Sequence, residues 1–151
     1  MRKAVFGIIA LGLSTGVSAQ DNARLDLVCL GAGAATRNAA IYGDGGTATI
    51  IGNRDTPFDD QVNLSIENGE GRLRMPRAML PALHGGEGGW FKLKNVHVTD
   101  TEITASVAVN PLNSPKLRLD RLTGAISLSG KSGDYSGRCA KYEPATTQRA
   151  F

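Results

Sequence analysis

His84 and Glu87 stand three positions apart in the stretch HGGEGGWF, and Trp90 follows three positions later. An imidazole and a carboxyl group are the side chains most suited to moving protons near neutral pH. Four of the seven residues from His84 to Trp90 are glycine, which bares backbone N–H groups and leaves the segment free to move. The sole tryptophan supplies a flat apolar platform. His84, Glu87 and Trp90 therefore read as a ligand loop. The plainer reading, which is preferred, is a flexible connection with Trp90 filling one end of the core.

Other chemistry-bearing patterns dissolve on inspection. GLSTG matches the G-x-S-x-G nucleophile turn, but its Ser14 lies in a segment that reads as a cleaved leader. GAGAAT has Thr36 where a dinucleotide fingerprint needs its third glycine, and strand-like residues follow it. It reads as a glycine-rich strand end. AISLSGKS has Ala125 where a phosphate-binding loop needs glycine, and it crosses a hairpin, so Lys131 reads as a turn residue. Asp59-Asp60 and Asp120-Arg121 offer carboxylates, with no spacing that ties two of them to one site. Lys92, Lys94, Lys116 and Arg118 alternate outward and read as a solvated face that also blunts sheet edges. No metal or cofactor is expected.

The chain has only two cysteines, Cys29 in RLDLVCLGAG and Cys139 in SGRCAKY. In an oxidising compartment such a pair reads as a structural disulfide. The histidines, His84 and His97, lie near neither cysteine, and no C-x-x-C redox pair is present. A Cys29–Cys139 bond joins the two ends of the chain, as a staple between first and last strands.

The elements that must position these residues are strands. RLDLVCL alternates, and TATII is a short β-branched run. QVNLSIENGEGRLRM is a hairpin pattern. Asn68-Gly69 suits a type I′ turn, which sets Leu64 against Leu73 and Val62 against Met75. WFKLKNVHV and ITASVAVN form a second hairpin turning at Asp100-Thr101. Its inward series slips from Phe91 and Leu93 to Val96 and Val98, which predicts a β-bulge near Asn95. A third series puts Leu117, Leu119, Ile126, Leu128, Tyr135 and Cys139 inward. Turns fall at Thr123-Gly124 and Lys131-Ser132. PRAMLPAL reads as a short helix or covering loop. The expected fold is all-β: one antiparallel small barrel or sandwich of short strands, closed by one disulfide. A staple between the first and last strands favours the barrel.

Residues 1–19, MRKAVFGIIALGLSTGVSA, read as a signal peptide, with Arg2 and Lys3 ahead of a short apolar run and small residues before Gln20. The mature part, 20–151, reads as a single β domain with a loose tail from about 144. No membrane span is expected after cleavage. Removing Arg2 and Lys3 from the 17 basic residues leaves 15 against 14 acidic. The sequence pI near 9.1 therefore gives no ground for a nucleic-acid partner. The chain ends in Phe151, as outer-membrane barrels often do, but Pro144 interrupts the preceding residues and aromatics are few.

LDLVCLG, RMPRAMLPALHGG…GGWFKLKNVHV, LRLDRLTGAISLSG and YSGRCAKYEPATTQRAF resemble a set of small uncharacterised exported proteins of Gram-negative bacteria. In that set a D-R-x-T-G turn precedes a G-x-C and a terminal phenylalanine. The resemblance covers most of the mature chain. It implies a periplasmic address and supplies no activity. The expected function is a non-enzymatic periplasmic or secreted binding or inhibitor-like module, a monomer meeting a protein or envelope ligand. The alternative is a hydrolase of cell-envelope polymers using Glu87 and His84.

Overall fold

A computed structural model describes residues 24–42 and 48–143. The leader and the tail inferred above lie outside these residues. Eight strands run Leu25–Tyr42 (β1), Ala48–Glu67 (β2), Glu70–Arg74 (β3), Trp90–Val98 (β4), Glu102–Val107 (β5), Lys116–Asp120 (β6), Ala125–Gly130 (β7) and Gly133–Lys141 (β8). Each pairs antiparallel with its sequence neighbours, and β8 pairs with β1, so the sheet closes as an up-and-down barrel. The barrel alternative, not the sandwich, is the fold.

Binary pattern explains the closure. Within the barrel, alternate residues of each strand point inward, and among the described residues these are mainly apolar. Leu27, Leu64, Leu73, Phe91, Ile103, Leu117, Leu128 and Tyr135 come one from each and are all buried. They join one continuous core. The outward positions of β3, β4 and β6 carry charges. Apolar inside and charged outside is the reverse of a membrane barrel. No described helix is long and apolar enough to cross a membrane.

Local turn chemistry sets the registers. Asn68 and Gly69 both take positive φ and pair Leu64 with Leu73. Asn95 also takes positive φ, and the β4–β5 register shifts between Lys94 and His97. Beyond this bulge Val96 packs against the core, but Val98 is exposed at the strand end, against the expectation that it points inward. The Asp120 carboxylate accepts the N–H groups of Leu122 and Thr123 at 2.9 and 2.8 Å, so the DRLTG segment is a self-capped turn.

The seam between β1 and β8 is built from small residues. Gly31 faces Gly137, Ala35 faces Gly133, and Cys29 faces Cys139, to which it is disulfide-bonded. GAGAAT is therefore part of a continuous strand, and the reason for its glycines is close approach. A Cβ at Gly31 would run into the Ser136 carbonyl, and one at Gly33 into the Asp134 carbonyl. The Phe58 and Tyr135 rings flank Gly33 from the strands on either side, stacked with centroids 6.3 Å apart. The Tyr135 hydroxyl lies 3.1 Å from both the Cys29 and the Asp60 carbonyl oxygens.

Beyond the seam β1 and β2 continue as a two-stranded ribbon, pairing through Tyr42 and Ala48. At the ribbon's base the 3₁₀ turn Arg77–Met79 packs its buried Met79 over the barrel end. Asp60 fixes this turn by accepting the Arg77 N–H at 3.1 Å, and Arg37 donates to the Ala78 carbonyl at 3.3 Å.

Candidate functional site

His84, Glu87 and Trp90 lie at the ribbon end of the barrel, in the connection from β3 to β4. The glycines here shape a defined path. Gly88 and Gly89 take positive φ between Glu87 and Trp90, whose backbones bond in both directions at 3.3 and 2.9 Å. This is a two-residue hairpin turn of the type I′ kind. The Met75 N–H donates to the Gly89 carbonyl and the Gly85 N–H to the Val109 carbonyl, each at 3.0 Å. The Asn110 side chain donates to the Leu83 carbonyl at 2.9 Å. Gly86 also takes positive φ, and a Cβ there would meet the Phe91 ring at 2.8 Å. The expected loose connection is thus tied to the barrel at several points.

His84 and Glu87 are both exposed. The His84 Nδ1 lies 2.8 Å from its neighbour's carbonyl at Gly85, and the imidazole edge meets the Phe91 ring at 5.8 Å. Among the described residues, no hydrogen bond or ion pair joins His84 to Glu87.

Trp90 is the first residue of β4, and strand alternation decides its side. Phe91 and Leu93 point inward, so Trp90 points outward and is half-buried. It does not fill the core; Phe91 does. The Arg72 guanidinium sits over the indole, 5.0 Å from the ring centroid.

The open concavities lie elsewhere. The β3–β4 ladder is short, running only from Arg74 and Trp90 to Arg72 and Lys92. Below it the strands part around a groove of about 700 Å³, lined by Ser65, Glu67, Glu70, Arg72, Lys92 and Asn95 among others. A second depression of about 1030 Å³ occupies the barrel mouth remote from the ribbon, where Asp26, Asp100, Arg121 and Lys141 mix both signs. The groove was not foreseen from sequence. Its signal was the phase slip at Asn95, which marks the bulge but not the parting of the strands beside it.

Charge on the barrel wall is uneven. Outward positions of β3, β4 and β6 present Arg72, Arg74, Lys92, Lys94, Lys116 and Arg118. Among the described residues the ion pairs are Arg24–Asp26 and Arg118–Glu102, at 2.7 and 3.0 Å. Among the described residues the other five cations of this wall have no carboxylate within 4.0 Å. At the remote mouth the Ser65 hydroxyl, and then Arg24, hold the Asp26 carboxyl below its usual range. Among the described residues no group of three or more His, Cys, Asp or Glu is placed to hold a metal ion.

Comparison with protein-family models, with curated proteins and with solved structures returned no match.

Proposed function

We propose that this chain is an exported, non-enzymatic binding or inhibitor-like module that meets a protein or cell-envelope ligand on its outer surface, acting as a monomer in the periplasm or outside the cell. The observation that carries the reading is the filled barrel. Apolar side chains from all eight strands occupy the interior, so ligands are met by the wall, the groove and the loop ends. The Cys29–Cys139 bond suits an oxidising compartment, and the leader pattern of residues 1–19 would supply the route there.

The test pairs capture with turnover. The mature protein is immobilised and challenged with periplasmic and envelope extracts, and the same fractions are assayed for hydrolysis by the wild type and by His84→Ala/Glu87→Ala. The expected result is a saturable retained ligand, equal in both proteins, with no release of envelope fragments. Hydrolysis by the wild type that vanishes in the double variant would replace this reading with the hydrolase.

A further inference from the structure

Deepening the binding-module reading, on which it rests, we infer that the wall formed by β3 to β6 is a docking face for an extended anionic glycan, gripped by Arg72, Lys92, Lys94 and Lys116. In a closed barrel these strands are paired on both sides. Their cations therefore do not protect a sheet edge, the role that a row of outward lysines ordinarily has. The arrangement also opposes ordinary sheet stability. Arg72 and Lys92 are direct cross-strand partners, and like charges in that relation repel. Lys94 and Lys116 flank Ser106 from the two neighbouring strands. The Lys116 ammonium bends over Ser106, donating to its hydroxyl at 3.1 Å, which draws it toward the Lys94 strand. Cations outnumber carboxylates on this wall, six against Glu70, Glu102 and Asp120, and Arg72, Lys92, Lys94 and Lys116 are clustered toward its middle.

One cation is held in place before any ligand arrives. The indole of Trp90 beneath the Arg72 guanidinium fixes a side chain that is otherwise costly to order. Trp90 is thus a positioning residue for Arg72. Arg72 and Lys92 also stand on the wall of the groove between β3 and β4. With neighbouring strands about 4.8 Å apart and same-face residues about 6.7 Å apart, the cations form an array spaced at several ångströms. That spacing suits a polymer carrying an anionic group on successive sugar units. A bilayer is the poorer fit, because the exposed large apolar residues Leu30, Leu83, Leu112, Leu122 and Tyr142 lie off these strands, and Val98 alone, at the far end of β4, is on them. A single-stranded nucleic acid is also the poorer fit, because the one tryptophan of the wall has a ring face covered by Arg72.

The experiment measures binding of the full mature protein to dextran sulfate and to uncharged dextran by titration calorimetry. A duplex oligonucleotide and phosphatidylglycerol vesicles are the competing probes. The variants are Lys92→Glu/Lys116→Glu on the wall and Lys131→Glu on the β7–β8 turn as control. Circular dichroism and urea midpoints confirm that each is folded. Dextran sulfate is expected to bind, and uncharged dextran not to bind. Four contacts give a slope of roughly −3 for log affinity against log salt. The wall variant is expected to lose at least about tenfold in affinity, and the control to lose less than twofold. Equal binding of uncharged dextran, tighter binding of the oligonucleotide or vesicles, or unchanged affinity in the wall variant overturns the inference. If the wall variant still captures its envelope ligand in full, the inference falls and the binding-module reading stands. Hydrolysis dependent on His84 and Glu87 removes that reading instead.

Discussion

Reducing the Cys29–Cys139 bond should lower stability by about 4.7 kcal/mol, because the bridge closes a loop of 110 residues in the unfolded chain. Reduction is a cleaner perturbation than substitution, since both side chains are kept, with Cys29 fully buried. The two residues remain opposite each other in the β1–β8 ladder, so the folded state is expected to keep its pairing. The cost therefore lies almost wholly in the freed unfolded chain. Urea unfolding is followed with and without a phosphine reductant, using the fluorescence of Trp90. With a slope of about 2 kcal/mol per molar, the midpoint should fall by roughly 2.4 M. The slope should rise as well, because the open chain exposes more surface. A midpoint shift under about 0.5 M with an unchanged slope would refute the reasoning. It would mean that the ends of the unfolded chain already stay together without the bond.

Trp90→Ala should cost only about 1 kcal/mol, whereas Phe91→Ala should cost about 3–5 kcal/mol, because only Phe91 fills the barrel. Acrylamide should quench the wild-type tryptophan emission, and an unquenchable indole would contradict its outward placement. Tyr135→Phe should cost about 1–2 kcal/mol in urea unfolding, since one phenolic proton serves two carbonyl oxygens; a cost under about 0.3 kcal/mol would show that they need no such donor. Burial, and then the charge of Asp60, push the Tyr135 phenol above its usual range. The neutral phenol therefore stabilises the fold fully below about pH 10, and that contribution is lost as pH rises through the raised value. Tyr135→Phe should accordingly flatten the alkaline fall in melting temperature. The Thr123 backbone N–H holds the Asp120 carboxyl below its usual range. Its contribution is present above about pH 4 and lost as pH falls through the lowered value, so Asp120→Asn should flatten the acid limb below about pH 4.

Features written in neighbouring residues were legible in the sequence. Asn68-Gly69 named its turn, and the slip after Leu93 named the bulge at Asn95, because both depend on a few residues and a period of two. Closure as a barrel depends on strands 110 residues apart, and only the cysteine pair spoke for it. The length of the β1–β2 ribbon was hidden, because GAGAATRNAAIY is poor in the β-branched and aromatic residues that announce strands. Trp90 is the instructive case at the candidate site. Its size suggested core, but its parity with Phe91 already placed it outside, and parity decided. The cation pattern was visible as alternation, while its meaning depended on whether β3 to β6 had free edges, which no short window of sequence contains.

The β1–β8 seam also imposes a timetable on folding. Seven of the eight ladders join strands adjacent in sequence, and only this one waits for the far end of the chain. Hairpins form in microseconds, yet about a hundred residues separate the paired stretches of β1 and β8. The second edge of β1 stays uncovered until the far end of the chain is delivered. An open edge invites a wrong strand from another chain. Gly31 and Gly33 make β1 a poor template for such a guest, since glycine offers it no side chain to pack against. The partner that gains most from that bareness is β8, whose own Gly133 and Gly137 let it approach more closely than a strand with full side chains could. The seam glycines thus act in time as well as in space, keeping a place free for the last strand to arrive.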